Sequence, residues 1–262
     1  MSETIGDVTV TTGGDFVAVI EIHRPPNNYF DLDLIRSLAE AYEAVDGGGD
    51  VRAIVLCSEG KHFCAGADFA GRSPTSAAPR PEPGAAVLYE EAIRLFGNQT
   101  PVVAAVQGAA IGGGLGLACS ADFRVASADS RFAANFAQLG FHHGFGLSAT
   151  LPAIVGQQDA LELLYTGRRI GGAEAADMGL CDRLVEPSEV RAAAHSLAAE
   201  IAVSAPLAVR SIRATMRADL VDRVRTAVSR EASEQDRLRG TVDFAEGVRA
   251  MSERRPPRFE AR

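Results

Sequence analysis

The chain has 262 residues, of which 47% are hydrophobic and 23% charged, and a formal net charge of −8. Those values exclude a disordered chain and a general nucleic-acid binder, while leaving room for one anionic ligand held by a local basic cluster. The start, MSETIGDVTVTTGGD, lacks the basic and apolar runs of a signal peptide, and no apolar run reaches the span of a bilayer.

The length lies just beyond the usual single-domain range and predicts one large core with an appendage. Cys57, Cys64, Cys119 and Cys181 show no CxxC or Cys/His ligand spacing, so reduced thiols in a cytoplasmic protein are expected and no metal site. Val8 to Thr12 and Val17 to His23 are rich in β-branched residues around the turn Thr12-Gly13-Gly14-Asp15 and predict a hairpin. Arg24-Pro25-Pro26-Asn27-Asn28 breaks the second strand. Asp31 then caps a helix on which Leu34, Ile35, Leu38, Ala41 and Tyr42 recur at helical spacing, up to Gly47-Gly48-Gly49. Val51 to Leu56 and Val102 to Val106 are near-continuous apolar runs, as expected of strands covered on both faces. Gly71 to Gly84, rich in proline, serine and alanine, reads as a surface loop. After about Gly156 the strand signal nearly stops, and helices are expected over Glu174–Met178, Ser188–Val203, Pro206–Ala218 and Val221–Arg239.

Two stretches carry chemistry. The first is Lys61-His62-Phe63-Cys64-Ala65-Gly66-Ala67-Asp68, after a buried strand. The second is PVVAAVQGAAIGGG from Pro101 to Gly114, a strand running into three glycines and then a helix. A strand that ends in glycines at a helix start leaves backbone amides unpaired and lets another group approach closely. Such a turn stabilises an anion, either a phosphate or a developing oxyanion. By itself a glycine-rich turn is as readily only a tight turn. GGGLG has neither the GxGxxG order nor a following Gly-Lys-Ser/Thr.

Taken together, FCAGAD, PVVAAVQGAAIGGG, CSADFRVAS, YTGRRIGGAEAADMGLCDRLV and the closing EGVRAMSERRPPRF resemble, in order and over nearly the whole chain, the crotonase (enoyl-CoA hydratase/isomerase) superfamily. The resemblance implies an α/β fold, a spiral of ββα units over residues 1–200, with a C-terminal helical trimerisation region over 201–262. It implies a homotrimer or a hexamer built as a dimer of trimers, and an acyl-CoA thioester as substrate. Coenzyme A is then part of the substrate, and no separate cofactor, nucleic acid or membrane is called for. The family's oxyanion hole, two backbone amides that hold the thioester oxygen, falls on Ala67 and Gly113. Each such amide is worth about 3 kcal/mol of barrier.

The family's acid–base residues do not carry over. Gly116 stands where hydratases keep one glutamate and Phe136 where they keep the other, while the loop from Leu139 to Gly146 has no carboxylate. Its polar side chains are His142 and His143. A histidine titrates near neutral pH and serves as acid or base, but it equally serves as a hydrogen-bonding partner of loop backbone. Both readings stay open, with His143 matching the acid-bearing region slightly better. Two-glutamate water addition is therefore doubtful. Isomerisation, hydrolysis or decarboxylation assisted by a loop histidine is expected, with a non-catalytic acyl-CoA binder as the alternative. For the anionic parts of CoA the resemblance offers Lys61, Ala65 and Arg24, with Arg254, Arg255 and Arg258 near the C-terminus. Phe244 and Phe259 are candidates for closing the acyl pocket. Asp68 and Asp122 read as turn and strand-end caps, and His62 as a surface neighbour of Lys61.

Overall fold

The computed structural model describes residues 2–68 and 85–262, so the proline-rich stretch Gly71 to Gly84 lies outside the described residues. In chain order the elements are β1 (Ser2–Ile5), β2 (Val8–Thr12), β3 (Val17–Ile22), α1 (Leu32–Gly47), β4 (Ala53–Ser58) and α2 (Ala85–Gly97). Next come β5 (Val102–Val106), β6 (Ala109–Ile111), α3 (Gly113–Ser120), β7 (Phe123–Ser127), β8 (Arg131–Ala133), α4 (Leu147–Val155) and α5 (Gln157–Thr166). The chain closes with β9 (Arg169–Gly171), α6 (Gly172–Asp177), β10 (Arg183–Val185), α7 (Val190–Ala202), α8 (Pro206–Met216), α9 (Leu220–Arg239) and α10 (Val242–Glu253).

Among the described residues, seven strands form one sheet in the order β1-β2-β3-β4-β5-β7-β10, and β6-β8-β9 form a second. The hairpin pairs β2 with β3, and β3, β4, β5, β7 and β10 then run parallel. Each passage from the large sheet through the small one and back by a helix is one turn of a ββα spiral, seen in β5, β6, α3 and the return to β7. The central parallel strands β4 and β5 are buried throughout, which is why Val102–Val106 and Ala53–Ser58 carry apolar residues without regular alternation. One face packs on the main core with α1, α2, α3 and α4. The other packs on α7 through Val190, Ala194, Leu197 and Ala198 against Val55, Val103 and Val125.

Asp31 caps α1 as expected, its carboxylate accepting from Leu34 N at 2.9 Å. The short strands β6, β8 and β9 are the elements that periodicity does not reveal, because three residues give too little pattern.

The C-terminal region divides. Helix α8 contributes nothing to the core, and Val203, Leu207 and Met216 are 82%, 81% and 78% exposed. Helix α9 instead places Val224, Val228 and Ala232 in the main core. Helix α10 packs Phe244 on Phe141, ring centroids 5.1 Å apart, with the Arg239 guanidinium over both rings. Residues 201–262 thus include two helices that complete the body of the fold. Asp122, at the mouth of β7, ties α8 down: it accepts from Val102 N and pairs with Arg213 at 3.0 Å and Arg217 at 2.6 Å.

Candidate active site

The two motif stretches meet. Cys64 forms a parallel bridge with Ala110: Cys64 N donates to Ala109 O and Ile111 N donates to Cys64 O. The loop therefore runs beside β6 and reaches Gly66, where an added Cβ would lie 3.0 Å from Ile111 O. Ala67 follows directly, and the same loop meets the first turn of α3 at Cys64, whose carbonyl oxygen lies where a Cβ on Gly114 would stand. Gly112 has φ 56° and ψ −119°, a conformation that swings the chain from β6 into α3 and strains any residue but glycine. Gly113 is the first residue of α3, so its amide has no intrahelical acceptor. Neither Ala67 N nor Gly113 N has a partner among the described residues.

Aromatic rings surround this turn. A Cβ at Gly113 would collide with the ring of Phe30, and one at Gly116 would lie 2.5 Å from Phe145 Cβ and 2.8 Å from its ring. Phe30 and Phe145 meet edge to face with centroids 5.8 Å apart. Phe136 lies against the other side: its Cζ is 3.7 Å from where a Gly112 Cβ would stand, and its ring centre is 5.5 Å from that of Phe141 and 6.5 Å from that of His143. Both positions at which hydratases keep a glutamate thus belong to an apolar wall. Phe145, at 1% exposure, fills the room a side chain at position 116 would need.

The structure separates the two histidines. Their rings stack 4.1 Å apart. His142 Nδ1 lies 2.8 Å from His143 O, and a carbonyl only accepts, so that nitrogen carries a proton and His142 serves the loop backbone. His143 places Nε2 2.7 Å from Ser148 Oγ, and its Nδ1 has no partner among the described residues. Burial, with His142 adding to it, pushes the His143 imidazole down to about 4, so the ring is neutral at pH 7 and does not titrate near neutrality. Glu231 Oε1, 3.9 Å from His143 Nε2, acts in the opposite direction. Burial prevails at His143; Glu231 itself accepts from Gly146 N at 2.8 Å and Ser148 N at 2.9 Å, and burial pushes its own carboxyl up.

The loop is anchored from α9 and α2. Gln235 Nε2 donates to His142 O, and Gln235 Oε1 accepts from Tyr89 at 2.9 Å. Phe30, Phe145, Ser148, Glu231, Gln235 and Tyr89 are the site residues that the motifs did not reveal. The signal for Glu231 and Gln235 is on α9: they share the stripe of Val224, Val228 and Ala232, where polar side chains are out of place.

The residues expected at the CoA end differ in their engagement. Arg24 is committed to Asp7 at 2.6 Å and Asp31 at 2.8 Å, an ion-pair pin for the turn before α1 rather than a free cation. Lys61 is exposed, and Ala65 N donates to Asn27 O. His62 Nδ1 accepts from Ala109 N at 3.2 Å and so supports β6. Arg255 pairs with Glu246 and Glu253, Arg258 N donates to Glu246, and Phe259 is exposed. A cavity of about 620 Å³ opens there, lined by Glu246, Arg249, Arg255 and Arg258; it shares no residue with the glycine turn.

Comparison with known proteins agrees with this architecture. A family profile described as enoyl-CoA hydratase/isomerase matches residues 12–262. The chain is 35% identical over 246 residues to a crotonyl-CoA hydratase of Syntrophomonas wolfei, covering 93% of this chain and 94% of the relative. It is 31% identical over 251 residues to a peroxisomal Δ(3,5)-Δ(2,4)-dienoyl-CoA isomerase of Arabidopsis thaliana, covering 91% and 90%. The crystal structure of an enoyl-CoA hydratase/isomerase from Pseudoalteromonas atlantica superposes with a TM-score of 0.85 at 28% identity, covering 97% of this chain and all of the other. The fold is that of the crotonases, enzymes that process acyl-CoA thioesters. This chain belongs to the enoyl-CoA hydratase/isomerase family within that superfamily.

Proposed function

We propose that this enzyme holds an acyl-CoA thioester with its carbonyl oxygen on the amides of Ala67 and Gly113, and that His143 moves a proton of the acyl group. The observation that carries this reading is the replacement of both hydratase carboxylates by the Phe145–Gly116 contact and by Phe136, with His143 one aromatic ring away from the turn. When a proton leaves the carbon beside the thioester, the electron pair moves into the carbonyl. The negative charge on oxygen falls on two preset N–H donors in an apolar surround, where they act most strongly. Neutral His143, open at Nδ1, is in the form that accepts the proton; returning it to another carbon completes an isomerisation. Activating water for addition takes a polar pair, and Phe136 and Gly116 offer none.

The test is exchange of α-protons into deuterated water across a panel of acyl-CoAs, alongside hydration of crotonyl-CoA. Exchange is expected, with hydration about 10² to 10⁴ below that of two-glutamate hydratases. Efficient hydration would overturn the reading, and tight binding with no exchange would leave an acyl-CoA binder.

Lys61, exposed and without an ion pair among the described residues, is the candidate to meet the anionic part of CoA. The exposed apolar side chains Val203, Leu207, Ile212 and Met216 support a trimer formed through α8. A monomer by light scattering at micromolar concentration would refute that. Cys57, Cys64, Cys119 and Cys181 are unpaired and buried, which supports the expected cytoplasmic setting.

A further inference from the structure

His62 and Asn28 share a task that one backbone carbonyl performs in an ordinary sheet. The loop from His62 runs parallel to β6, with Cys64 opposite Ala110; Cys64 N donates to Ala109 O, and Ile111 N donates to Cys64 O. In a regular parallel ladder the preceding rung would run from Ala109 N to His62 O. Here His62 O instead accepts from Asn28 Nδ2 at 2.6 Å, and Ala109 N donates to the His62 ring at Nδ1, 3.2 Å away. The imidazole stands in for its own carbonyl as the first rung.

The direction of this bond is fixed, because a backbone amide only donates: Nδ1 accepts and carries no proton. The surroundings fit that role. Gly108, at φ 60°, leaves space for the ring, since a Cβ there would overlap Lys61 O and lie 2.7 Å from His62 Nδ1. Burial, with Lys61 and Arg131 adding to it, pushes the imidazole down and so favours the neutral form that can accept. Asn28, with no exposed surface, also donates from Nδ2 to Glu59 O and accepts from Arg24 N at Oδ1. On that same flank Ala65 N donates to Asn27 O and Phe30 N donates to Gly66 O. The loop is therefore gripped on both sides just before Ala67. Of its three rungs to β6, that of His62 alone is made by a side chain, and a substitution can remove it.

We propose that His62 is a positioning residue for the oxyanion hole: by taking the Ala109 amide on Nδ1, it sets the loop that carries Ala67 against the strand that leads to Gly113. The positioning role rests on Ala67 and Gly113 being the donors to the thioester oxygen; the rung itself does not. His62 is no proton carrier in this arrangement, because its accepting nitrogen is spent on the backbone of β6.

The experiment uses the full-length protein. Hydrogen–deuterium exchange of residues 108–112 is read by mass spectrometry, and infrared difference spectra are taken of bound butyryl-CoA carrying 13C at its thioester carbonyl. Hydrogen bonds from the hole lower that stretching frequency, and this readout does not involve His143. His62→Phe keeps a ring and removes the acceptor, whereas His62→Asn keeps an acceptor near the place of Nδ1. In His62→Phe the segment should exchange faster and the carbonyl shift should shrink. In the α-proton assay its kcat should fall about 10- to 10²-fold with KM held within about twofold. His62→Asn should restore all three. His62→Gln, whose oxygen falls nearer the place of Nε2, should lose them and carries the result if His62→Phe fails to fold. Protection equal to the parent's in His62→Phe would refute the rung. A lost rung with carbonyl frequency and kcat unchanged would refute the positioning role. A parent that binds butyryl-CoA with an unshifted carbonyl would remove the reading of Ala67 and Gly113 and the positioning role with it, while the rung would still show in the exchange protection.

Discussion

Acid should weaken this protein in part through His143. His143, with 19% of its side chain exposed, titrates near 4 in the folded chain, whereas an unfolded histidine titrates near 6.5. Between those values the unfolded state binds the proton and the folded state does not, so folding is favoured as pH rises through the window. The contribution is complete above about pH 6.5 and is lost as pH falls toward 4. A separation of about 2.5 units at 1.36 kcal/mol per unit gives about 3 kcal/mol. Urea unfolding of the parent and of His143→Gln, followed by circular dichroism from pH 7 to pH 4, measures it. Subtracting the two curves removes the other titrating groups, and the glutamine amide can keep a bond to Ser148. The parent should lose about 3 kcal/mol more than the variant across the window, with the difference levelling off below pH 4. Parallel curves would show that the ring charges freely in the folded state, and the argument from burial would be refuted.

Gly113 carries two constraints that substitution can separate, since Phe30 lies where its Cβ would go. In a Phe30→Ala background, Gly113→Ala has room and keeps its amide, so α-proton exchange should persist; Gly113→Pro deletes the amide and should cost a factor of about 10² to 10³. Gly116→Glu should not create a hydratase: it drives a side chain into Phe145 and should destabilise the fold by at least about 1–3 kcal/mol, measurable by thermal denaturation. Asp122→Asn leaves Arg213 and Arg217 short of their counter-ion under α8 and should cost about 3 kcal/mol by urea titration, whereas a loss below 0.5 kcal/mol would show that the pair is solvated.

Much of this fold is legible in the chain because its strands and helices announce themselves locally. The hairpin turn at Gly13-Gly14, the Asp31 cap and the unbroken apolar runs of β4 and β5 each depend on neighbours in sequence, and each formed where expected. The glycine turn was legible for the same reason, since Gly112 and Gly113 are consecutive. The resemblance to the crotonases also identified what was missing at positions 116 and 136. What fills those positions was decided by packing. Phe30 and Phe145 are far apart in sequence, and only the closed spiral sets one against Gly113 and the other against Gly116. His142 and His143 are adjacent and alike as letters. They are distinguished by the directions their rings take, one to a carbonyl in its own loop, the other to a serine at the start of α4. Glu231 lies 88 positions beyond His143, on a helix whose charged residues look like a solvated face. It reaches the site because α9 packs between α2 and α4. Local pattern can specify an amide at a helix start, because the backbone supplies the group. It cannot specify a partner across the core, because that contact exists only once every intervening element has found its place.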